Sequence, residues 1–323
     1  MRSLWRRLAL GLLIAVGIAL IAVAWGWYGP GPATKSTTII VRDGSTLTGL
    51  TQQLRASGLI RSGQLFRNAL RLFASSDPIQ SGEFEIPARA SAASIVDLLQ
   101  HGRPVQRLVT VTEGMPSIMV QERLAANQLL TGPTPSIPEG SVLPDSYSFE
   151  RGESRAAVVN RMQAAMARTL DELLRQNKGN CPVASRTEIV TLASIVEKET
   201  GKASERRTVA GVYCNRLRIG MKLDADPTVI YPITKGKPLG RRILKSELEA
   251  DNPYNTYRNA GLPPTPIANP GKASIAAVLH PAATKALYFV ADGAGGHVFA
   301  ETLAEQNANV AKYYALRKAR GQM

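Results

Sequence analysis

Ser185-Arg-Thr-Glu-Ile-Val-Thr-Leu-Ala-Ser-Ile-Val-Glu-Lys-Glu-Thr200 opens with the spacing of a capping box. In such a box a hydroxyl and a carboxylate three residues apart satisfy each other's orphan backbone donors. The spacing predicts a helix from about residue 186. At about 100° per residue, Ile189, Leu192, Ile195 and Val196 share one buried stripe and Lys198 faces the other way. Glu199 follows Ile195 by one helical turn and Leu192 by two, so it lies inside the stripe, whereas Glu197 falls at its edge beside Ala193 and is expected to be solvated. An ionised carboxylate on an apolar face is costly. Glu199 therefore either pairs with a cation, Arg206 or Arg216 being at hand, or holds a proton near neutral pH. The first is a structural ion pair; the second is the state an acid catalyst needs.

Working outward, helical patterning also covers Arg155–Gln176. The Pro-, Gly- and Ser-rich stretch between Gly132 and Gly152 reads as loop around Leu143-Pro-Asp-Ser-Tyr-Ser-Phe149. Arg107-Leu-Val-Thr-Val-Thr112 alternates as a strand, which puts a domain boundary near residue 105. Towards the C-terminus, Asp292-Gly-Ala-Gly-Gly-His297 lacks the Gly-Lys-Ser/Thr ending of a phosphate loop and lies between two short apolar runs, so it reads as a hairpin turn. Thr302-Leu-Ala-Glu305 is a second capping box, starting a final helix.

Before residue 105, Thr38-Ile39-Ile40-Val41 reads as a strand, Asp43-Gly44-Ser45 as a turn that caps a helix through Leu47, Leu50 and Leu54, and Ser62–Phe73 as a second helix. Phe84-Glu85-Ile86-Pro87 reads as another strand, and a helix through Ile95, Leu98 and Leu99 ends at His101-Gly102. This strand–helix–helix–strand order over residues 37–105 resembles the LysM-like modules that bind glycan in bacterial walls; a spacer without glycan affinity fits the same pattern. Residues 29–36 form a Pro/Gly/Ser linker. From Leu8 to Tyr28 the chain is apolar over about the 20 residues that cross a hydrocarbon core as a helix. Arg2, Arg6 and Arg7 in the tail of residues 1–7 precede the span, and Trp25, Trp27 and Tyr28 stand at its far end, where aromatic rings favour the headgroup level. The reading is a single-pass inner-membrane anchor with residues 29–323 periplasmic, and a chain lacking residues 1–28 is expected to fold as a soluble protein.

The 323 residues carry a formal charge of +14 and 44% apolar residues, enough for two packed domains and a preference for anionic partners. Nucleic acid is disfavoured, because no basic stretch is interleaved with aromatics and the outward-facing topology removes the chain from it. Cys181 and Cys214 are too few for a cysteine zinc site, and sequence leaves open whether they pair or remain small semi-buried side chains. Three dispersed histidines give no His-Glu-x-x-His pattern, and no Gly-x-Ser-x-Gly elbow is present. No cofactor and no metal is expected.

Ala193-Ser-Ile-Val-Glu-Lys-Glu-Thr200, Asn215-Arg-Leu-Arg-Ile-Gly-Met221, Asp226-Pro-Thr-Val-Ile-Tyr231, Tyr254-Asn-Thr-Tyr257, Gly261-Leu-Pro-Pro264, Ile267-Ala-Asn-Pro-Gly271 and His280-Pro-Ala282 together, in order over about residues 107–318, resemble the YceG-like family of endolytic murein transglycosylases. The resemblance implies an α+β protein made of a transmembrane helix, a LysM-like module and a catalytic domain over residues 106–323, with the active helix packed against short β-elements. It also implies non-hydrolytic cleavage of the MurNAc–GlcNAc bond in nascent peptidoglycan strands, leaving 1,6-anhydroMurNAc ends and terminating elongation, with peptidoglycan synthases as possible partners. Glu199 followed by Thr200 is similar to the Glu-Ser signature of goose-type lysozymes and soluble lytic transglycosylases, which makes Glu199 the catalytic acid. Asn215, Asp226, Thr228, Tyr231, Tyr254, Asn255, Thr256 and Tyr257 are the substrate-cleft candidates, with Asp226 equally readable as a turn former before Pro227. Two alternatives stay open: a noncatalytic glycan-binding scaffold in which Glu199 only pairs with a base, and a true hydrolase with Asp226 or another carboxylate opposite Glu199.

Overall fold

The computed structural model describes residues 2–75, 77–176 and 179–321, with side chains from residue 10 onward. The side chains of Arg2, Arg6 and Arg7 therefore lie outside the described residues. The chain divides into two compact units, Met1–Arg107 and Leu108–Met323.

The first unit runs α1 (Arg2–Tyr28), β1 (Thr37–Val41), α2 (Leu47–Ala56), α3 (Gly63–Phe73), β2 (Gly82–Ile86) and α4 (Ala92–His101). Each of the three short helices starts where a hydroxyl caps the first turn: Thr46, Ser62 and Ser91 accept from the amides of Gly49, Leu65 and Ser94. Strands β1 and β2 pair antiparallel from Thr37 opposite Ile86 to Val41 opposite Gly82. The strand–helix–helix–strand order is as read from the sequence, and its apolar faces close on Ile39, Leu54, Phe84, Ile86, Ile95 and Leu99.

Helix α1 carries one apolar stretch, Leu10–Tyr28, of mean hydropathy 2.3, long enough to span a bilayer. Its end departs from the sequence expectation. Trp25 and Tyr28 are exposed, but Trp27 is only 3% exposed and packs on Phe66 and Phe73, with ring centroids 6.2 and 6.0 Å away. The segment after it is no free linker, since the Gly31 amide donates to the Arg89 carbonyl and the Arg89 amide to that of Ala33. The last turn of α1 therefore belongs to the core of the unit. A chain beginning at residue 29 should melt at a lower temperature than one beginning at residue 22, because the first leaves the Trp27 site as a cavity; equal midpoints by calorimetry would show that Trp27 adds nothing.

The second unit runs β3 (Arg107–Thr110), α5 (Ser117–Ala126), β4 (Ser146–Phe149), α6 (Arg155–Gln176), α7 (Arg186–Glu199), α8 (Arg206–Arg218), α9 (Asp226–Thr234), α10 (Lys245–Leu248), α11 (Lys272–Leu279), β5 (Tyr288–Ala291), β6 (His297–Ala300) and α12 (Leu303–Ala319). Both predicted capping boxes, Ser185 with Glu188 and Thr302 with Glu305, are formed. The stretch read as loop contains β4, which pairs with β3. Strands β5 and β6 pair antiparallel, with the Asp292 carboxylate accepting from the Ala294 and Gly296 amides across the turn. The expectation that α7 packs against short β-elements needs correction: its main neighbours are α8, α9 and α11. Leu192, Ala193, Ile195 and Val196 are fully buried there, among Val209, Ala210, Ile275 and Val278.

Cys181 and Cys214 form a disulfide, with Cα atoms 5.0 Å apart. It ties the segment ahead of α7 to the middle of α8 and closes a loop of 33 residues. Replacing both cysteines by serine should lower the unfolding free energy by about 2–4 kcal/mol, measured by denaturant melts of the oxidised protein and the double variant; coincident melts would show that the bond adds no stability.

Candidate active site

Glu199 is the last residue of α7, and the helix stops at Thr200, whose amide closes the final turn on the Val196 carbonyl. The residue keeps partial access to solvent, yet its carboxyl lies in a packed surround. Burial pushes its pKa up to about 7, helped by the negative charge of Asp226; the hydrogen bond from the Tyr213 hydroxyl and the charge of Arg216 pull the other way. Tyr213 is itself buried on α8, with its ring edge-on to Phe289 at 5.8 Å. Desolvation and the neighbouring Glu199 charge hold the Tyr213 phenol well above its usual range, so it stays a donor at any physiological pH. Arg216 was weighed from sequence as a cation for Glu199, whereas Tyr213 was not singled out as its neighbour. The signal available was their separation of three residues, one turn of α8.

Arg216 does not form an ion pair with Glu199. Its guanidinium donates to the carbonyls of Leu287 and Leu223, both at 2.6 Å, lies 3.7 Å from Asp224 and stacks over Tyr288. Arg206, the other cation weighed for Glu199, pairs instead with Glu197, at 3.5 Å. The expectation that Glu197 is solvated is therefore overturned. Its side chain is 5% exposed, and its second oxygen accepts from the Gly271 amide at 2.8 Å, at the N-cap of α11, where a carboxylate also complements the helix dipole. A Cβ at 271 would stand 2.0 Å from the present position of the Glu113 carboxylate and displace that side chain, which reaches Arg206 at 3.8 Å. The two glutamates of one helical end thus differ: Glu197 is spent on structure and Glu199 is not.

The cleft candidates divide in the same way. Thr228, Asn255 and Thr256 are buried: the Thr228 hydroxyl bonds the Ala225 carbonyl and Thr256, and the Asn255 amide group donates to the Leu248 and Ala250 carbonyls. Asn215 donates to the carbonyls of Thr284 and Ala286. These four have their donors engaged within the chain and shape the wall. Asp226, in the first turn of α9, is exposed and accepts from the Tyr257 hydroxyl at 2.7 Å; it is a helix N-terminal residue rather than a simple turn former. Burial and Asp226 push the Tyr257 phenol above its usual range. Tyr231 and Tyr254 pack as a tilted pair with centroids 5.0 Å apart, and the Tyr231 hydroxyl donates to Glu139 at 3.5 Å. Glu139 was not picked from sequence: burial raises its pKa, while the Ser117 amide and hydroxyl and the Asn269 amide group donate to it. Among the described residues no cluster of three or more His, Cys, Asp or Glu side chains suits a metal ion.

The model of the YceG-like family matches residues 39–312, which covers the site and most of both units. The chain belongs to the YceG-like family. Among similar proteins, the endolytic murein transglycosylase of Bacillus subtilis is 37% identical over 175 residues, 54% of this chain and 48% of that protein. The endolytic murein transglycosylase of Streptococcus pneumoniae is 27% identical over 328 residues, 86% of this chain and 58% of that protein. The chain thus spans about half the length of the curated relatives it matches. The crystal structure of a yceG-like protein from Listeria monocytogenes resembles it with a TM-score of 0.52 and 26% identity, covering 85% of this chain and 98% of that one.

Proposed function

We propose that this chain is a membrane-anchored endolytic lytic transglycosylase with Glu199 as its single acid–base group. The observation that carries the reading is a partly accessible carboxyl with a pKa of about 7 and, among the described residues, no cation bonded to it, in a member of the YceG-like family. Protonated Glu199 gives its proton to the glycosidic oxygen as the C1–O bond breaks. The resulting carboxylate then takes the proton of the sugar's own 6-hydroxyl as that oxygen closes on C1. No water is consumed, and the product is a 1,6-anhydroMurNAc end. An intramolecular nucleophile reaches effective molarities of roughly 10⁵–10⁸ M, so a second carboxylate is dispensable. Asp226, Tyr257, Tyr254 and Tyr231 offer hydroxyl-binding groups and ring faces to the glycan.

The compartment follows from the same reading. A span at Leu10–Tyr28, arginines ahead of it and a disulfide, which persists in oxidising surroundings, support a periplasmic site near the membrane, where nascent strands and the synthases that make them are met. The β1–α2–α3–β2 order supports a LysM-like module, and a cavity of about 410 Å³ lined by Arg42, Asp43, Ser45 and Gln100 is where it would hold glycan.

The hydrolase reading rests on Asp226, whose charge reaches Glu199. Product analysis of purified glycan decides: anhydro ends support the transglycosylase, reducing ends the hydrolase, and no fragments the scaffold.

The pKa of Glu199 also sets a pH profile. As the acid of the first step it must carry a proton, so kcat/KM should fall as pH rises above about 7. Stability should follow the same sign. Between the ordinary value of 4.5 and about 7, the unfolded chain has lost a proton that the folded one keeps, so stability falls as pH rises through that window. Glu199→Gln should flatten this component; a wild-type melting curve unchanged by the substitution across the window would sink the assignment.

A further inference from the structure

Helix α3 carries two large apolar side chains that the core does not cover, on either side of Ala69, which packs partly against it. Leu65 and Leu72, two turns apart, are 68% and 73% exposed on the same side as Ala69, while Phe66 turns inward. These side chains do not stand far from α1. Leu65, Ala69 and Leu72 line one hollow of about 460 Å³ together with Ala22, Val23 and Gly26, residues inside the apolar span of α1. Trp27, packed on Phe66 and Phe73, fixes α3 at that height.

The depth follows from helix geometry. Leu10–Tyr28 is 19 residues, about 28 Å at 1.5 Å per residue, against a hydrocarbon core of about 30 Å. Seating the span therefore brings the acyl boundary close to Tyr28. Ala22 lies roughly 9 Å below Tyr28 along the axis. A face of α3 that shares a hollow with Ala22 and Val23 cannot stay in water while they are in lipid. The 5–10 Å immersion of a typical interfacial helix is the same distance.

We propose that α3 is a membrane-interface helix, whose Leu65, Ala69 and Leu72 enter the acyl boundary of the leaflet that α1 leaves. Arg61 and Arg71, both exposed, flank this face and reach the phosphate headgroups, as long cationic side chains do at a bilayer surface. The occupant of the hollow is phospholipid. The strongly positive charge of the chain favours anionic lipid at that surface. The inference rests on α1 being a membrane span, and the test separates the two.

The full chain is reconstituted in phosphatidylethanolamine–phosphatidylglycerol vesicles with one added cysteine, spin-labelled, at position 22, 52, 65 or 72; the native cysteines are paired and take no label. Collision with oxygen reports lipid, and collision with a water-soluble nickel chelate reports water. The expected result is that labels at 65 and 72 favour oxygen, as the label at 22 does, while the label at exposed Gln52 on α2 favours nickel. Labels at 65 and 72 that favour nickel while 22 favours oxygen overturn the proposal and leave the span intact. A nickel-accessible label at 22 overturns the span and the proposal with it. Labels at 65 and 72 closed to both reagents, with spin–spin broadening that dilution by unlabelled chain removes, assign the face to a second copy of the chain and overturn lipid as the occupant.

Discussion

Glu199→Gln should leave the chain folded and lower its turnover of purified glycan by at least the roughly 10²–10⁴-fold that general acid–base catalysis contributes. The amide keeps the shape of the side chain and can still accept from Tyr213, but it has no proton to give. Its melting temperature should be unchanged or slightly raised near and above pH 7, because the substitution removes a carboxylate held out of water. Turnover by released anhydro ends and a thermal melt on the same sample check both halves. Retained turnover with a large melting loss would make Glu199 a structural group and leave the acid to be found elsewhere.

Glu197→Ala should do the reverse. Removing one partner of a buried, hydrogen-bonded ion pair costs about 3–5 kcal/mol, which for a unit of this size lowers the melting temperature by roughly 6–20 °C. Two groups lose their partner at once: the Arg206 guanidinium, 11% exposed and already with an unbonded Nε, and the Gly271 amide at the head of α11. Glu113, 3.8 Å from Arg206, offsets part of the loss. The molecules that remain folded should keep most of their turnover. A melting temperature within a degree or two of wild type would show that Glu197 is solvated after all, and a folded but inactive variant would transfer the acid role to it.

What was legible in the sequence was local. The capping box at Ser185, the buried stripe of α7 and the position of Glu199 within it all depend on spacing along one helix. The hairpin at Asp292 and the strand–helix–helix–strand order of the first unit were legible for the same reason. What could not be read was the identity of distant partners. Periodicity places Glu197 at the edge of an apolar arc, but the Gly271 amide that it binds is 74 residues away in sequence. Trp27 reads as a headgroup-level aromatic until Phe66 and Phe73 are seen around it. Thr228 and Thr256, polar and close to a motif, looked like sugar contacts, yet they bond each other inside the wall. The turn-like Asp226-Pro227 begins a helix, since proline is well tolerated in a first turn.

The disulfide sits one residue from Tyr213, the donor to Glu199. On the proposed topology each new chain starts in a reducing cytoplasm, where Cys181 and Cys214 remain thiols and the register of α8 beside the acid is held by packing alone. Oxidation after export adds the covalent clamp. Crossing the membrane is then a step of maturation as well as of transport, and the proposed acid site reaches its full rigidity only on the side where its proposed substrate is.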